Sequence, residues 1–360
     1  MNYVIDKSKG SSYMQLYKYL REDIINGTYG YGKKLPSKRL LAEETGVSTI
    51  TVEHSYALLC DEGYAEARER CGYYAIFRRS DGFALPAEII ETRVQSSSHE
   101  DIETSFPFQT LSKTMRKVIS CYGDRIMEKS PNSGMTELRS ALREYLARNR
   151  GIHVDNDQIV IGSGSEYLYS LIIELLGRDR IVAIESPSYN KIEQVYQASE
   201  ISYEALPLAQ DGIESAALLS TKASVLHTTP YRSFPSGVSA SASKRHEYIR
   251  WAKAGDRFLI EDDYESEFSV STKPMETLYS LSGNDSVIYL NTFSKTISPA
   301  MRVAYMLIPK KLVSQFEEKL GFYSCTVPAF EQFLIAELIN NGEFERHINR
   351  VRRNIRESLK

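Results

Sequence analysis

The sequence predicts a chain of two parts: a small helical head closed by a hairpin, then a larger α/β domain on a mainly parallel sheet. Three observations predict this. Up to residue 78, short helical patterns are separated by single glycines and end in two strand-like runs around a glycine. From about residue 105, apolar runs of strand length recur with helical patterns between several of them, the alternation of an α/β domain. Residues 79–104 (RSDGFALPAEIIETRVQSSSHEDIET) break both patterns with Pro86, a run of three serines at 96–98 and interspersed acids, and read as a surface connection with at most a helical turn or two at AEIIETRV. At 360 residues the chain is too long for one typical domain.

In the head, Tyr13, Leu16, Tyr17, Leu20 and Ile24 recur at helical spacing before Gly27, which predicts an amphipathic helix over 13–26. Ser37 is placed to cap a short helix carrying Leu40 and Leu41, and Gly46 to end it in the left-handed conformation. Ser48 caps a second helix that turns Val52, Tyr56 and Leu59 inward. Two short helices across a tight glycine turn outline a helix-turn-helix. The stretch YAEARERCGYYAIF reads as strand, turn, strand: a wing.

Composition narrows the function. A formal net charge of −3 argues against a protein that coats polyanions over its whole surface, while leaving room for a local basic face. No apolar run is long enough to span a bilayer, and MNYVIDKSKGSS has no apolar signal region, so the expected location is the cytoplasm with no membrane contact. Cys60, Cys71, Cys121 and Cys325 are scattered, as reduced thiols would be, and the six histidines form no ligand pattern, so no metal is expected.

Six apolar runs are expected strands: 158–162, 180–185, 224–227, 257–261, 287–290 and 303–308. Ligands on such sheets lie beyond the carboxyl ends of the strands, so the residues that follow each run matter most. GSGSEYLYSLIIELL follows the first run, a glycine-rich turn opening a helix whose free N–H groups can hold a phosphate. SPSYN follows the second and offers Tyr189 as a flat ring; TTPYRSFPSG follows the third as a rigid turn. DDYESEF follows the fourth with acids and a tyrosine. NTFSKTISPAMR closes the fifth, setting Lys295 among hydroxyls with Arg302 seven residues on. Together these are the parts of a pyridoxal phosphate site. A lysine condenses with the cofactor aldehyde, an aspartate keeps the pyridine nitrogen protonated, and hydroxyls, N–H groups and an arginine hold the phosphate. The pattern alone leaves open whether Asp262 or Asp263 faces the ring.

Two family resemblances rest on these residues. LPSKRLLAEETGVSTITV and LLCDEGY resemble the winged helix-turn-helix of the GntR family. FPFQTLSK, NSGMTELRSALREYL, ESPSY, TTPYRSFPSG, IEDDYESEF and NTFSKTISPAMRVAY resemble the aminotransferase-like, fold type I domain. Joined, they resemble the MocR-type transcriptional regulators, which implies a winged helix-turn-helix over 1–78, a linker over 79–104 and a three-layer pyridoxal-phosphate-dependent transferase-like domain over 105–360. It also implies double-stranded DNA as partner, pyridoxal 5′-phosphate as cofactor, a homodimer, and an amino acid or amine as effector. The resemblance assigns Lys295 to the Schiff base, Asp262 to the pyridine nitrogen, Tyr264 to the ring hydroxyl and Tyr189 to stacking on the ring. Ser163, Gly164, Ser165, Ser294 and Arg302 surround the phosphate. Ser37, Arg39, Ser48, Thr49 and Thr51 would contact DNA from the two short helices, with Gly72 and Tyr73 at the wing.

This sequence departs from the family at several positions. Thr49 stands where arginine is usual, and Glu53 where a base is common, so affinity should lean on phosphate contacts from Lys33, Lys34, Lys38, Arg39, Arg68 and Arg70 and be salt-sensitive. Glu166 replaces a glutamine after the glycine turn, Lys191 an arginine, and Arg232–Ser233 a His-Gln pair. The sequence stops at Lys360 in a basic helix where the family continues into a C-terminal lobe, so that lobe is expected to be missing or incomplete. The expected function is a DNA-binding regulator that senses or uses pyridoxal phosphate rather than an enzyme. The alternatives are an aminotransferase with an appended DNA-binding module and a GntR-type repressor with a decayed cofactor site.

Overall fold

The computed structural model describes residues 3–6, 10–68, 71–77, 105–264, 266–269, 276–283 and 285–358. The chain separates into two compact units, Met1–Ser96 and Ser97–Lys360. The expected connection over 79–104 lies outside the described residues.

The head follows its local signals. Helix α1 (Ser12–Ile25) buries Leu16, Tyr17, Leu20 and Ile24, and its chain leaves at Asn26 before Gly27 takes a positive φ. Helix α2 (Lys38–Thr45) starts where Ser37 accepts the Leu40 N–H and stops at Gly46, φ 65°. There Leu41 is buried and Leu40 is half exposed. Helix α3 (Thr49–Asp61) begins with Ser48 accepting the Thr51 N–H at 3.1 Å and buries Val52, Tyr56 and Leu59 completely. Each such side chain contributes about 1.5–3 kcal/mol by leaving water, which outweighs the ~1 kcal/mol of a cap. Strands β1 (Ala65–Arg68) and β2 (Gly72–Ala75) pair antiparallel, Ala65 opposite Ala75, and form the wing.

The second unit opens with α4 (Phe108–Tyr122) and α5 (Thr136–Arg150), the latter ended by Gly151 in the left-handed conformation. Then come β3 (Ile159–Gly162), α6 (Ser165–Leu176), β4 (Val182–Ser186), α7 (Asn190–Ala198), β5 (Tyr203–Ala209), β6 (Gly212–Ile213), α8 (Ser215–Ser220), β7 (Val225–Thr228) and α9 (Ala242–Lys253). The unit finishes with β8 (Phe258–Asp263), α10 (Leu278–Ser282), β9 (Val287–Thr292), β10 (Ala304–Leu307), α11 (Lys310–Leu320), α12 (Ala329–Asn340) and α13 (Glu343–Ser358).

The eight strands lie in the order β3-β10-β9-β8-β7-β4-β5-β6. From β9 through β5 every pairing is parallel, while β10 runs antiparallel to both β9 and β3, and β6 to β5. Each of the six expected strands is present. Strands β5 and β6 are additions: YEALPLA is only partly buried and carries Pro207, so it lacks the continuous apolar run of a central strand.

Helices cover both faces. On one face α6, α7 and α11 pack Leu168, Tyr169, Ile172, Tyr196 and Phe316 against Ile184, Ile260, Ile288 and Leu290. On the other, α5, α9, α12 and α13 pack Leu142, Tyr248, Phe333 and Phe344 against Leu226, Leu259, Tyr289 and Tyr305. The result is the three-layer α/β/α arrangement expected of the sequence. The last helix is part of this packing: Phe344, His347, Ile348 and Val351 are buried, and Arg352 donates to the Glu267 carbonyl.

Candidate functional site

Sheet topology decides where the chemistry collects. Because β10 runs antiparallel between β3 and β9, Ala304 pairs with both Gly162 and Thr292. The residues just before β10 therefore meet those just after β3 and β9, and Arg302 arrives beside Gly164. A Cβ on Gly164 would fall 2.5 Å from Arg302 Nη2, and Gly164 itself has φ 101°. It is this φ that calls for glycine, since the Arg302 guanidinium is the end of a flexible side chain that could shift. Arg302 also adopts the left-handed conformation, φ 48°, unusual for a residue with a side chain and a form of local strain that gathers at binding sites.

Helix α6 begins at this point, so its unpaired N–H groups and positive dipole end face the same space. The Ser163 N–H donates to Thr326 Oγ1 at 3.1 Å, and Ser165 hydrogen-bonds the Tyr169 phenol. After β9, the Ile297 N–H bonds back to the Phe293 carbonyl at 2.8 Å and closes a one-turn loop with half-buried Lys295 on it. Thr292 Oγ1 donates to Ser294 Oγ at 2.9 Å and accepts the Ser294 N–H, fixing the start of that loop.

Strand β8, next to β9, ends in Asp262 and Asp263. Asp262 accepts from the Tyr169 phenol on α6 and lies 3.8 Å from His227 Nε2, whose Nδ1 is 2.9 Å from the Tyr196 hydroxyl. His227 Nε2 is buried without a hydrogen-bond partner. Burial, then the Asp262 charge, pushes the Tyr169 phenol well above its ordinary value, so it remains a donor. Asp263 turns to the opposite face, where Arg150 and Tyr289 both donate to it. Glu261 shares that face and accepts from the Leu278 and Tyr279 N–H groups at 2.8 Å and from the Tyr231 hydroxyl at 2.6 Å. Tyr264, directly after β8, and Tyr189, at the start of α7, are both partly exposed. Tyr189 meets Phe234 edge-on at 6.0 Å between ring centroids.

One charge in this region is turned inward. Glu166 Oε2 is 2.8 Å from Arg302 Nη2, and its Oε1 is 3.0 Å from Lys191 Nζ. Partial burial opposes the charge, but the Glu166 N–H, Lys191 and Arg302 together hold the carboxyl down to about 2.

In the head, Arg39 and Thr49 are exposed, and so are Ser37 and Ser48, whose hydroxyls serve as caps. Thr51 is partly covered and its hydroxyl meets Ser48 Oγ at 2.8 Å. Gly72 lies at the exposed wing tip beside Lys34, while Tyr73 packs on Tyr56 at 4.5 Å between centroids. Glu53 pairs with Lys38 at 2.9 Å, which offsets one base beside α3.

Asp262, Lys295 and Arg302 are legible in the sequence, whereas the support behind them is not. Tyr169, His227 and Tyr196 carry no spacing pattern of their own. The one available signal was a histidine closing an otherwise apolar strand, SVLH.

Residues 103–360 match the family described as aminotransferase class I and II, and residues 12–74 match the bacterial regulatory proteins of the gntR family. An HTH-type transcriptional regulator of Bacillus subtilis, YdeL, is 32% identical over 95% of this chain and 76% of its own length. The HTH-type pyridoxine biosynthesis transcriptional regulator PdxR of Corynebacterium glutamicum is 26% identical over 94% of this chain and 75% of its own. The crystal structure of Pyrococcus horikoshii kynurenine aminotransferase superposes with a TM-score of 0.63 at 27% identity. That match takes in 69% of this chain and 64% of the enzyme, slightly less than two thirds of it. The chain belongs to the MocR-type HTH transcriptional regulators, in which a gntR-family head is joined to an aminotransferase class I and II domain. Its head is of a DNA-binding family, and its second unit has the fold of the pyridoxal-phosphate-dependent aminotransferases. Among the described residues no helix is long and apolar enough to cross a membrane.

Proposed function

We propose that the second unit holds pyridoxal 5′-phosphate as a sensory ligand and that its occupancy changes how two heads of a homodimer grip duplex DNA. The observation that carries this reading is the convergence of three strand ends. A glycine–arginine anion cup at Gly164 and Arg302, a lysine loop at Lys295 and a buried aspartate at Asp262 open toward one end of one sheet.

The parts suit the cofactor. The cup at the N-terminus of α6 matches a phosphate in charge and donor count, with Ser163, Ser165 and Ser294 beside it. Asp262 is poised to pair with a pyridine N–H, its orientation fixed by the Tyr169 phenol and its charge faced by the orphaned His227 nitrogen. When bound, the group would supply an aldehyde that reacts reversibly with amines and a ring that withdraws electrons. Lys295 is the amine within the chain, Tyr264 follows directly on Asp262 and Asp263 at the same strand end, and Tyr189, edge-on to Phe234 and hydrogen-bonded with Lys191, offers a partly exposed ring to a flat ligand. An amino acid or amine that competes with Lys295 is the effector such a site accepts.

Arg39, Thr49, Ser37, Ser48 and Thr51 form the DNA-facing surface, with Gly72 at the wing; Tyr73 contributes by packing the wing on α3. A ligand shifts the DNA-binding equilibrium only by its differential affinity for two arrangements of the dimer. The test is anisotropy of a duplex selected by the chain from a random library, measured with and without the cofactor. Binding should change on cofactor addition for the wild type and stay at its basal level for Lys295→Ala. An unchanged wild-type response contradicts the sensory reading.

A further inference from the structure

We propose that Glu166 is a tethered rival for the cofactor phosphate: it occupies Arg302 when the cup is empty and is handed to Lys191 when the phosphate enters. This rests on the reading of the site given above and concerns which ligand the cup takes and at what cost.

The geometry places one anion among the donors another would need. Glu166 is the second residue of α6, so its side chain can fold back over its own helix end, where its N–H stabilises the carboxylate. Its Oε2 takes Arg302 Nη2 at 2.8 Å. A Cβ built on Gly164 would lie 2.5 Å from Arg302 Nη2 and 3.2 Å from Glu166 Oε2, so carboxylate and guanidinium already fill the hollow that glycine leaves. A phosphate cannot take those donors while Glu166 holds them, and two anions in one cup repel.

Lys191 makes the exchange reversible. It stands on α7, outside the cup, and already holds the other Glu166 oxygen at 3.0 Å. A rotation of the Glu166 side chain away from Arg302 therefore breaks one ion pair and keeps the second. The apparent affinity for a phosphorylated ligand is the intrinsic affinity scaled by the fraction of molecules with the cup open. Lys191 raises that fraction and Arg302 lowers it. A glutamine at 166 would still meet both cations as a hydrogen-bond acceptor, without the charge.

The experiment titrates pyridoxal phosphate, and separately unphosphorylated pyridoxal, into the full chain and its Glu166→Gln and Lys191→Gln variants, read by absorbance of the bound aldehyde. Glu166→Gln should tighten pyridoxal phosphate roughly tenfold and leave pyridoxal unchanged, while Lys191→Gln should loosen pyridoxal phosphate alone. Inorganic phosphate provides a second readout: millimolar phosphate should raise the melting temperature of Glu166→Gln more than that of the wild type. Equal affinities in wild type and Glu166→Gln, with the cofactor bound by both, overturn the rivalry and leave the cofactor reading intact. So does a shift that is the same for pyridoxal. If no variant takes the cofactor, both readings fall together. Uptake by Glu166→Gln alone supports the rivalry in its strongest form.

Discussion

Asp262 and Asp263 are neighbours on β8 whose carboxylates serve opposite faces of the sheet: Asp262 meets Tyr169 on the α6 side, and Asp263 meets Arg150 on the α5 side. Alternation along a strand separates a ligand-facing acid from a structural one across a single peptide bond. The two therefore answer differently to the same substitution.

Asp263→Asn removes the charge facing Arg150, whose side chain is 6% exposed. Breaking a buried pair in this way costs about 3–5 kcal/mol. Asp262→Asn keeps an acceptor for Tyr169 and should cost less than about 1 kcal/mol while weakening cofactor binding sharply. Trp251, the chain's single tryptophan, is buried in α9, so its fluorescence during urea unfolding reports the second unit alone. A larger stability loss for Asp262→Asn than for Asp263→Asn would reverse the assignment.

Glu267 sets a pH slope. Burial first, and the Asp263 charge second, push its carboxyl from 4.5 to about 7. Its Oε1 accepts from Asn291, and its Oε2 is buried without a partner. Below pH 4.5 both folded and unfolded chains hold the proton. Between 4.5 and 7 the unfolded chain releases a proton that the folded chain keeps, so stability falls as pH rises; above 7 the cost is constant. Glu261, likewise pushed up to about 7 by burial, adds a fall over the same range, so Glu267→Gln should remove only its own share, gaining about 1–3 kcal/mol over wild type at pH 8 relative to pH 4.5. A difference between the two that does not vary with pH would exclude this role.

DNA binding by the head should be governed by phosphate contacts. Arg39→Ala should weaken binding at all sequences and lower the slope of log K against log salt by about 1. Glu53→Gln releases Lys38 from its ion pair and should act oppositely, strengthening binding and steepening the slope by up to about 1. Anisotropy titrations from low to moderate salt read both effects. A sequence-selective loss in Arg39→Ala would instead assign that residue to base edges.

Capping carries the orientation of α3. Ser48→Ala removes the acceptor for the Thr51 N–H and should destabilise the head by about 1 kcal/mol, while Ser48→Gly should cost only a few tenths. Amide hydrogen exchange at the start of α3 distinguishes the two.

Legibility in the sequence followed the range of the interaction. Caps and glycine stops are local, so Ser37, Gly46 and Ser48 could be placed from the chain alone, and they sit as expected. Central strands buried on both faces read as unbroken apolar runs, which is why β3, β4 and β7 through β10 were recognisable while partly exposed β5 was not. Facing was the hard part. A run of three acids gives no phase, so only the family resemblance singles out Asp262, and its neighbour's pairing to Arg150, 113 residues earlier, is visible only in the fold. Glu166 shows the same limit: its identity was plain, but whether it turned into the cup depended on Arg302, 136 residues later.

The central claim is that Lys295 receives the cofactor aldehyde. Incubating the full chain with pyridoxal phosphate, reducing with borohydride and mapping peptides by mass spectrometry tests it most directly. A pyridoxyl group on the peptide containing Lys295, absent from Lys295→Ala and retained at stoichiometric cofactor, is the predicted result. Labelling scattered over exposed lysines, with none preferred at 295, would contradict it.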